Sequence, residues 1–188
     1  MIDFRQAKFL LSANSQKTFL SDRPIVVIIG RSNAGKSTLV NTLCDNKKLM
    51  KVSKEAGRTR LLNYLDIQDK YYLVDAPGYG YAGALNFIDM LAEFFSCVKG
   101  KIKAVYLLLD PRRKLQEDDF DLFEMISSYK LNMKIVFSKM DKLNSSERKV
   151  AEKVRNTTFS KNEVFYVSSL TKMGIEELRK DIAKSFIA

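Results

Sequence analysis

Apolar residues arrive along this chain in two rhythms that take turns. Short runs rich in β-branched and aromatic residues are followed by stretches in which apolar positions recur at helical spacing. The runs predict strands at 25–29, 61–68, 71–75, 104–109, 134–138 and 163–167, and the periodic stretches predict helices over 36–45, 84–98, 116–130, 145–157 and 174–186. Only Asp69-Lys70 separates the second strand from the third, too little chain for a crossover, so these two pair antiparallel. Asn144 with Glu147 three residues on marks a helix start, and Pro111 closes the strand before the third helix. Strands alternating with helices predict an α/β fold of three layers. Its sheet is six-stranded and mainly parallel with one antiparallel edge pair, and ligands are expected at the carboxyl ends of the strands. Residues 1–22, polar with apolar anchors at Phe4, Phe9, Leu10 and Leu11, read as an N-terminal extension packed on a single domain spanning 23–188.

Composition narrows the class. With 188 residues, 46% of them hydrophobic, the chain is expected to form one globular domain. No apolar run approaches the roughly 18 residues of a membrane span, and Phe9-Leu10-Leu11 is too short for a signal-peptide core. A soluble, cytoplasmic protein is the expectation. Histidine is absent, which removes His-based metal sites. Cys44 and Cys97 sit in apolar helical patterns without CxxC spacing and are expected to be buried thiols in a reducing compartment. A formal charge of +10 favours a polyanionic partner larger than one nucleotide, RNA being the natural one. Lys outnumbers Arg 22 to 10, so a general lysine bias would produce the same balance.

Chemistry enters with Gly30-Arg31-Ser32-Asn33-Ala34-Gly35-Lys36-Ser37, which fits G-x-x-x-x-G-K-[ST] between a strand and a helix. Gly30 and Gly35 are expected to admit positive φ and close approach of the backbone, so that successive N–H groups cradle phosphates at a helix start. Lys36 would reach the β- and γ-phosphates, and Ser37 would place its hydroxyl on Mg2+. This is the signature of a P-loop NTPase. Asp75-Ala76-Pro77-Gly78 follows a strand, where a carboxylate holds Mg2+ through water and the Gly78 N–H reaches the γ-phosphate. Read alone, Pro77-Gly78 is an ordinary turn.

Ser138-Lys139-Met140-Asp141 follows the next-to-last strand. A carboxylate at Asp141 accepts two hydrogen bonds from guanine that adenine does not offer, and the Lys139 stem lies along the base, selecting GTP over ATP. The competing reading is a surface Lys/Asp loop. Val167-Ser168-Ser169 ends the last strand, and the Ser169 N–H is in place to meet the guanine oxygen. In the loop Gly57-Arg58-Thr59-Arg60-Leu61, Thr59 is the candidate second hydroxyl on Mg2+, ordered by GTP and released after hydrolysis.

With these motifs in place, the chain resembles a translation-factor-class GTPase of the TrmE-Era-EngA-EngB-Septin-like superfamily, and more narrowly the EngB (YsxC/YihA) family of bacterial ribosome-biogenesis GTPases. The likeness rests on Phe9-x-x-Ser12-Ala13, Gly30-Arg31-Ser32-Asn33, Gly57-Arg58-Thr59, Asp75 through Ala82, Asp110-Pro111-Arg112-Arg113 and Ser168-Ser169-Leu170. Most specific is the run Gly78-Tyr79-Gly80-Tyr81-Ala82. The resemblance implies a single G domain acting in large-subunit assembly, with links to cell division and septum formation and Mg2+ held through Ser37 and Thr59; the helix surfaces show no clear oligomer seam, so a monomer is the expectation. Ser138 replaces the usual Asn or Thr, losing an amide or a methyl contact that would brace the guanine loop against the phosphate loop, so modest nucleotide affinity is the expectation. Leu170 stands where related motifs carry lysine.

Tyr79 occupies the position where Ras-type GTPases carry a water-orienting glutamine, so intrinsic hydrolysis is expected to be slow. Lys36, Thr59, Gly78 and Asn33 are then the candidate catalytic groups. Related GTPases with Asn at the place of Asn33 hold K+ there, the alternative being that Asn33 only shapes the loop, and Arg31, Arg58 and Arg60 are rival cations. Lys47, Lys48, Lys51, Lys54, Arg58 and Arg60, with Arg112-Arg113-Lys114, would form a phosphate-binding face whose partner is rRNA and a large-subunit precursor. The competing class is a division or signalling GTPase with a protein partner.

Overall fold

A computed structural model describes residues 2–50, 61–80 and 87–188. It forms a seven-stranded sheet in the order β1-β3-β4-β2-β5-β6-β7, where β1 is Ala7–Ala13, β2 Ile25–Gly30, β3 Leu62–Ile67, β4 Tyr71–Asp75, β5 Ile102–Leu109, β6 Met133–Phe137 and β7 Val164–Tyr166. The helices are α1 Lys36–Leu43, α2 Phe87–Val98, α3 Glu117–Ser128, α4 Ser145–Thr157 and α5 Ile175–Ile187. Strand β2 lies between β4 and β5, parallel to both, and every one of its residues is buried. Alternation sends Ile25, Val27 and Ile29 into the layer with α2, α3 and α4, while Val26 and Ile28 face the layer with α1 and α5. A strand with no polar side chain fits only such a two-sided core.

The six expected strands and five helices are all present, and the β3–β4 pair is antiparallel. Gln68 and Asp69 turn it, both at positive φ (58° and 55°), the geometry of a type I′ hairpin turn. Asn144 and Glu147 make the reciprocal capping bonds at the start of α4, at 2.9 and 2.8 Å. Of the helix expected over 84–98, the described part begins at Phe87.

The extension corrects the strand count from six to seven. Ala7–Ala13 pairs antiparallel with β3 at the sheet edge, and Ser12 Oγ donates to Asn63 Oδ1 at 2.7 Å. A bulge between Phe9 and Leu11 breaks the register, so the apolar residues do not alternate and no strand signal survives in the sequence. Cys97 is a second correction. It is exposed, on the outer face of α2, while Cys44 is buried as expected and its thiol is pushed up to about 12 by burial.

Candidate functional site

The carboxyl ends of β2, β4, β6 and β7 converge on one rim of the sheet. After β2 the chain turns through Asn33 (φ 64°) and Gly35 (φ 96°) into α1, whose first residue is Lys36. Gly35 takes the left-handed conformation that the motif demands. Gly30 does not: its φ is outside that region, and glycine is required there by crowding, because a Cβ would meet the Leu108 carbonyl oxygen of β5 at 2.7 Å. The expectation of positive φ at both glycines is therefore right for Gly35 alone.

Lys36 is buried and donates from Nζ to the Gly30 carbonyl at 3.2 Å. Burial lowers its pKa, and the neighbouring charge of Asp75 opposes that fall. Asp75, at the end of β4, is fully enclosed, and burial raises its pKa to about 6 against the pull of Lys36. Its Oδ1 is the one buried side-chain N or O atom among the described residues without a hydrogen-bond partner. An orphaned carboxylate oxygen beside a buried ammonium is costly unless something donates to it.

On the other side of the phosphate loop stands the segment Ser138 to Asp141, the expected guanine motif. Ser138 is buried, and its hydroxyl lies 2.9 Å from the Ala34 carbonyl and 3.2 Å from that of Leu109. A hydroxyl thus links the two loops at this position. Lys139, at φ 57°, donates from Nζ to the Asn33 carbonyl at 2.6 Å and pairs with Asp110 at 3.2 Å. Asp141 is exposed, with Oδ1 accepting from the buried Ser168 hydroxyl at 2.5 Å. Met140 N–H donates to Val167 O at 3.1 Å, which joins this loop to the end of β7. Ser169 stands half-buried beside it, and Leu170 is 80% exposed.

Asp110 is a member of this constellation whose position was not evident from its motif. Burial alone would raise its pKa, but the Arg112 fork (2.9 and 2.6 Å) and Lys139 outweigh it and hold the carboxyl at about 2. The carboxylate thereby fixes Lys139 from behind. An Asp-Pro at the end of a strand was the available signal. Arg31, a rival cation in the sequence, is committed elsewhere: it donates to Asp118 at 2.6 Å, to Asp119 at 3.2 Å and to Gln116. Asn33 is exposed at the lip of the phosphate loop. Gly57, Arg58, Thr59 and Arg60 lie outside the described residues, as do Lys51, Lys54, Tyr81 and Ala82, and Leu61 precedes β3.

A cavity of about 370 Å³ opens on the far side of the phosphate loop, between the α3 entry and α4, over Leu109, Leu115, Phe137 and Val154. Lys36, Asp75, Lys139 and Asp141 do not line it, but Arg31, Ser32, Ala34 and Asp110 do, so it adjoins the site above from behind the phosphate loop.

Residues 25–139 match the family model described as "50S ribosome-binding GTPase". The chain is 38% identical over 183 residues to a probable GTP-binding protein EngB of Mesoplasma florum, covering 93% of this chain and 92% of that protein. A probable GTP-binding protein EngB of Rickettsia bellii is 37% identical over 187 residues, covering 95% and 88%. Among solved structures, a probable GTP-binding protein EngB superposes with a TM-score of 0.68 at 19% identity, covering 86% of this chain and 98% of the other. Era in complex with MgGDPNP and nucleotides 1506–1542 of 16S ribosomal RNA superposes with a TM-score of 0.66 at 21% identity, covering 88% and 57%.

Proposed function

Since this chain belongs to the EngB family of GTP-binding proteins and is a GTPase, we propose that it works as a slow GTP-driven switch in assembly of the large ribosomal subunit. The same reading places it in the cytoplasm as a monomer and makes it necessary for normal cell division and septation. The orphaned Asp75 Oδ1 carries the nucleotide half of the proposal. A buried carboxylate oxygen with no donor, next to a buried lysine at the foot of the phosphate loop, is a place prepared for the water shell of a cation and for phosphate oxygens.

In this reading Gly30-Arg31-Ser32-Asn33-Ala34-Gly35 surrounds the phosphates with N–H groups and Lys36 neutralises the β- and γ-oxygens. Ser37 and Thr59, with Asp75 through water, would hold Mg2+. Bound there, the ion supplies neutralisation of charge between the β- and γ-phosphates. Gly78 donates its N–H to the γ-phosphate, following Ala76 and Pro77. Asp141, steadied by Ser168, reads guanine, Lys139 covers the base, and Val167 and Ser169 complete the pocket with Met140. Lys139 cannot swing freely, because Asp110 and the Asn33 carbonyl hold its ammonium. The rate is low because Tyr79 offers no amide to orient water. Asn33, exposed at the lip of the loop, would hold a K+ ion that adds positive charge there, and turnover would then be higher in K+ than in Na+ buffer; equal rates in the two would remove K+ from the mechanism.

The net charge of +10 supports rRNA as the partner. Co-sedimentation with large subunits tests it. Binding should require GTP over GDP, disappear after ribonuclease treatment and fall steeply with salt. Binding that ignores ribonuclease and salt would favour a protein partner and a signalling or division role.

A further inference from the structure

The segment Gly78-Tyr79-Gly80 is tied to the phosphate loop through both backbone and side chains. Ser32 N–H donates to the Tyr79 carbonyl at 2.8 Å, and Arg31 and Tyr79 form an isolated parallel bridge. There is no room for side chains on either side of the tyrosine. A Cβ on Gly78 would lie 2.8 Å from Ser32 Cα, and one on Gly80, at φ 80°, would lie 2.6 Å from the Arg31 guanidinium carbon. Tyr79 itself turns inward, stacks on Phe87 and donates its phenol to Asp119 Oδ1 at 2.7 Å.

Asp119 is where these contacts meet. It is 3% exposed, and its Oδ2 accepts from Gln116 N–H at 2.7 Å and from Arg31 at 3.2 Å. One buried carboxylate thus gathers donors from the phosphate loop, from the residue after Gly78 and from the entry to α3. Arg31 lies 5.7 Å from the centre of the Tyr79 ring, closing the cluster.

We infer that Tyr79 and Asp119 are positioning residues for the triphosphate: through them α3 fixes where Gly78 stands against the phosphate loop. The inference rests on the reading above, in which the Gly78 N–H meets the γ-phosphate. Both side chains are buried, each 3% exposed, and their roles run through Gly78 and the phosphate loop. Holding Gly78 in place before GTP arrives removes an ordering cost from GTP binding, and GDP, which lacks the γ-phosphate, gains nothing from it. The tether therefore acts on the difference between the two nucleotides.

Isothermal titration of the full chain with Mg-GDP and with Mg and a non-hydrolysable GTP analogue reads that difference. Tyr79→Phe keeps the ring and removes one donor; Asp119→Asn leaves a single oxygen for three donors. Both should keep GDP affinity within about twofold and weaken the analogue by roughly five- to tenfold. A protein that is merely less stable would lose both nucleotides in proportion. Should Asp119→Asn fail to fold, the milder Tyr79→Phe decides alone. An analogue-to-GDP affinity ratio equal to that of the wild type in folded Tyr79→Phe overturns the inference, whereas a wild type that binds neither nucleotide overturns the nucleotide reading beneath it.

Discussion

Asp75→Asn should stabilise the nucleotide-free protein at neutral pH while abolishing its response to Mg-GTP. The carboxyl is fully enclosed, with one oxygen lacking a donor, and burial raises its pKa from 3.8 to about 6. At about 1.36 kcal/mol per pH unit, that displacement makes ionised Asp75 cost the folded state about 3 kcal/mol relative to the unfolded chain. A raised folded-state pKa has a definite sign. The protonated carboxyl favours folding below pH 3.8, this contribution is lost as pH rises through about 6, and above that the loss is complete. Asparagine has the shape of the neutral acid and does not titrate. Thermal unfolding of wild type and Asp75→Asn, in chelator without nucleotide, should give nearly equal melting temperatures near pH 4. The variant should be higher by roughly 6–12 °C at pH 7.5, at about 2–4 °C per kcal/mol for a chain of this size. With Mg-GTP added the order should reverse, because only the wild type gains binding free energy. A difference between the two proteins that is the same at pH 4 and pH 7.5 would refute the claim that Asp75 is held against its own charge.

Gly30→Ala should destabilise the fold by about 1–3 kcal/mol in denaturant unfolding, since the new methyl meets the Leu108 carbonyl of β5 rather than open space. Ser138→Ala removes the hydroxyl between the Ala34 and Leu109 carbonyls and should weaken GDP binding severalfold, measured by titration; unchanged affinity would show that the brace is idle. Asp141→Asn should shift preference from guanine toward xanthine nucleotides in competition binding, and retained guanine preference would mean that another group reads the base. Ser168→Ala frees Asp141 from its 2.5 Å bond and should weaken GDP less than Asp141→Asn does.

The layering of the fold was legible because its signals are local. An unbroken apolar run such as Ile25 to Ile29 has one comfortable place, the middle of a sheet covered on both faces, and the rhythm of Phe94, Phe95 and Val98 has one apolar side to bury. Strand β1 escaped because its bulge between Phe9 and Leu11 destroys the alternation by which a strand is read. Cys97 misled for a related reason: it sits within an apolar helix, but on the face that the core does not need.

The motif residues identified themselves by spacing, since phosphate cradles require glycine and lysine at fixed separations within one turn of chain. Their environments did not. Whether Arg31 is free or bound depends on Asp118, far along the sequence, and whether Ser138 braces the phosphate loop depends on the Ala34 carbonyl. Sequence by itself determined the order of strands and helices from Ile25 onward, the phosphate-loop motif and the family, because each is written in residues that are neighbours along the chain. Tertiary structure alone decided that Gly30 is needed for packing, that Asp75 is an enclosed and orphaned acid, and that Tyr79 is turned away into a cluster with Asp119 and Arg31. Those properties arise from burial and from contacts between distant segments, which come into existence only when the sheet has formed.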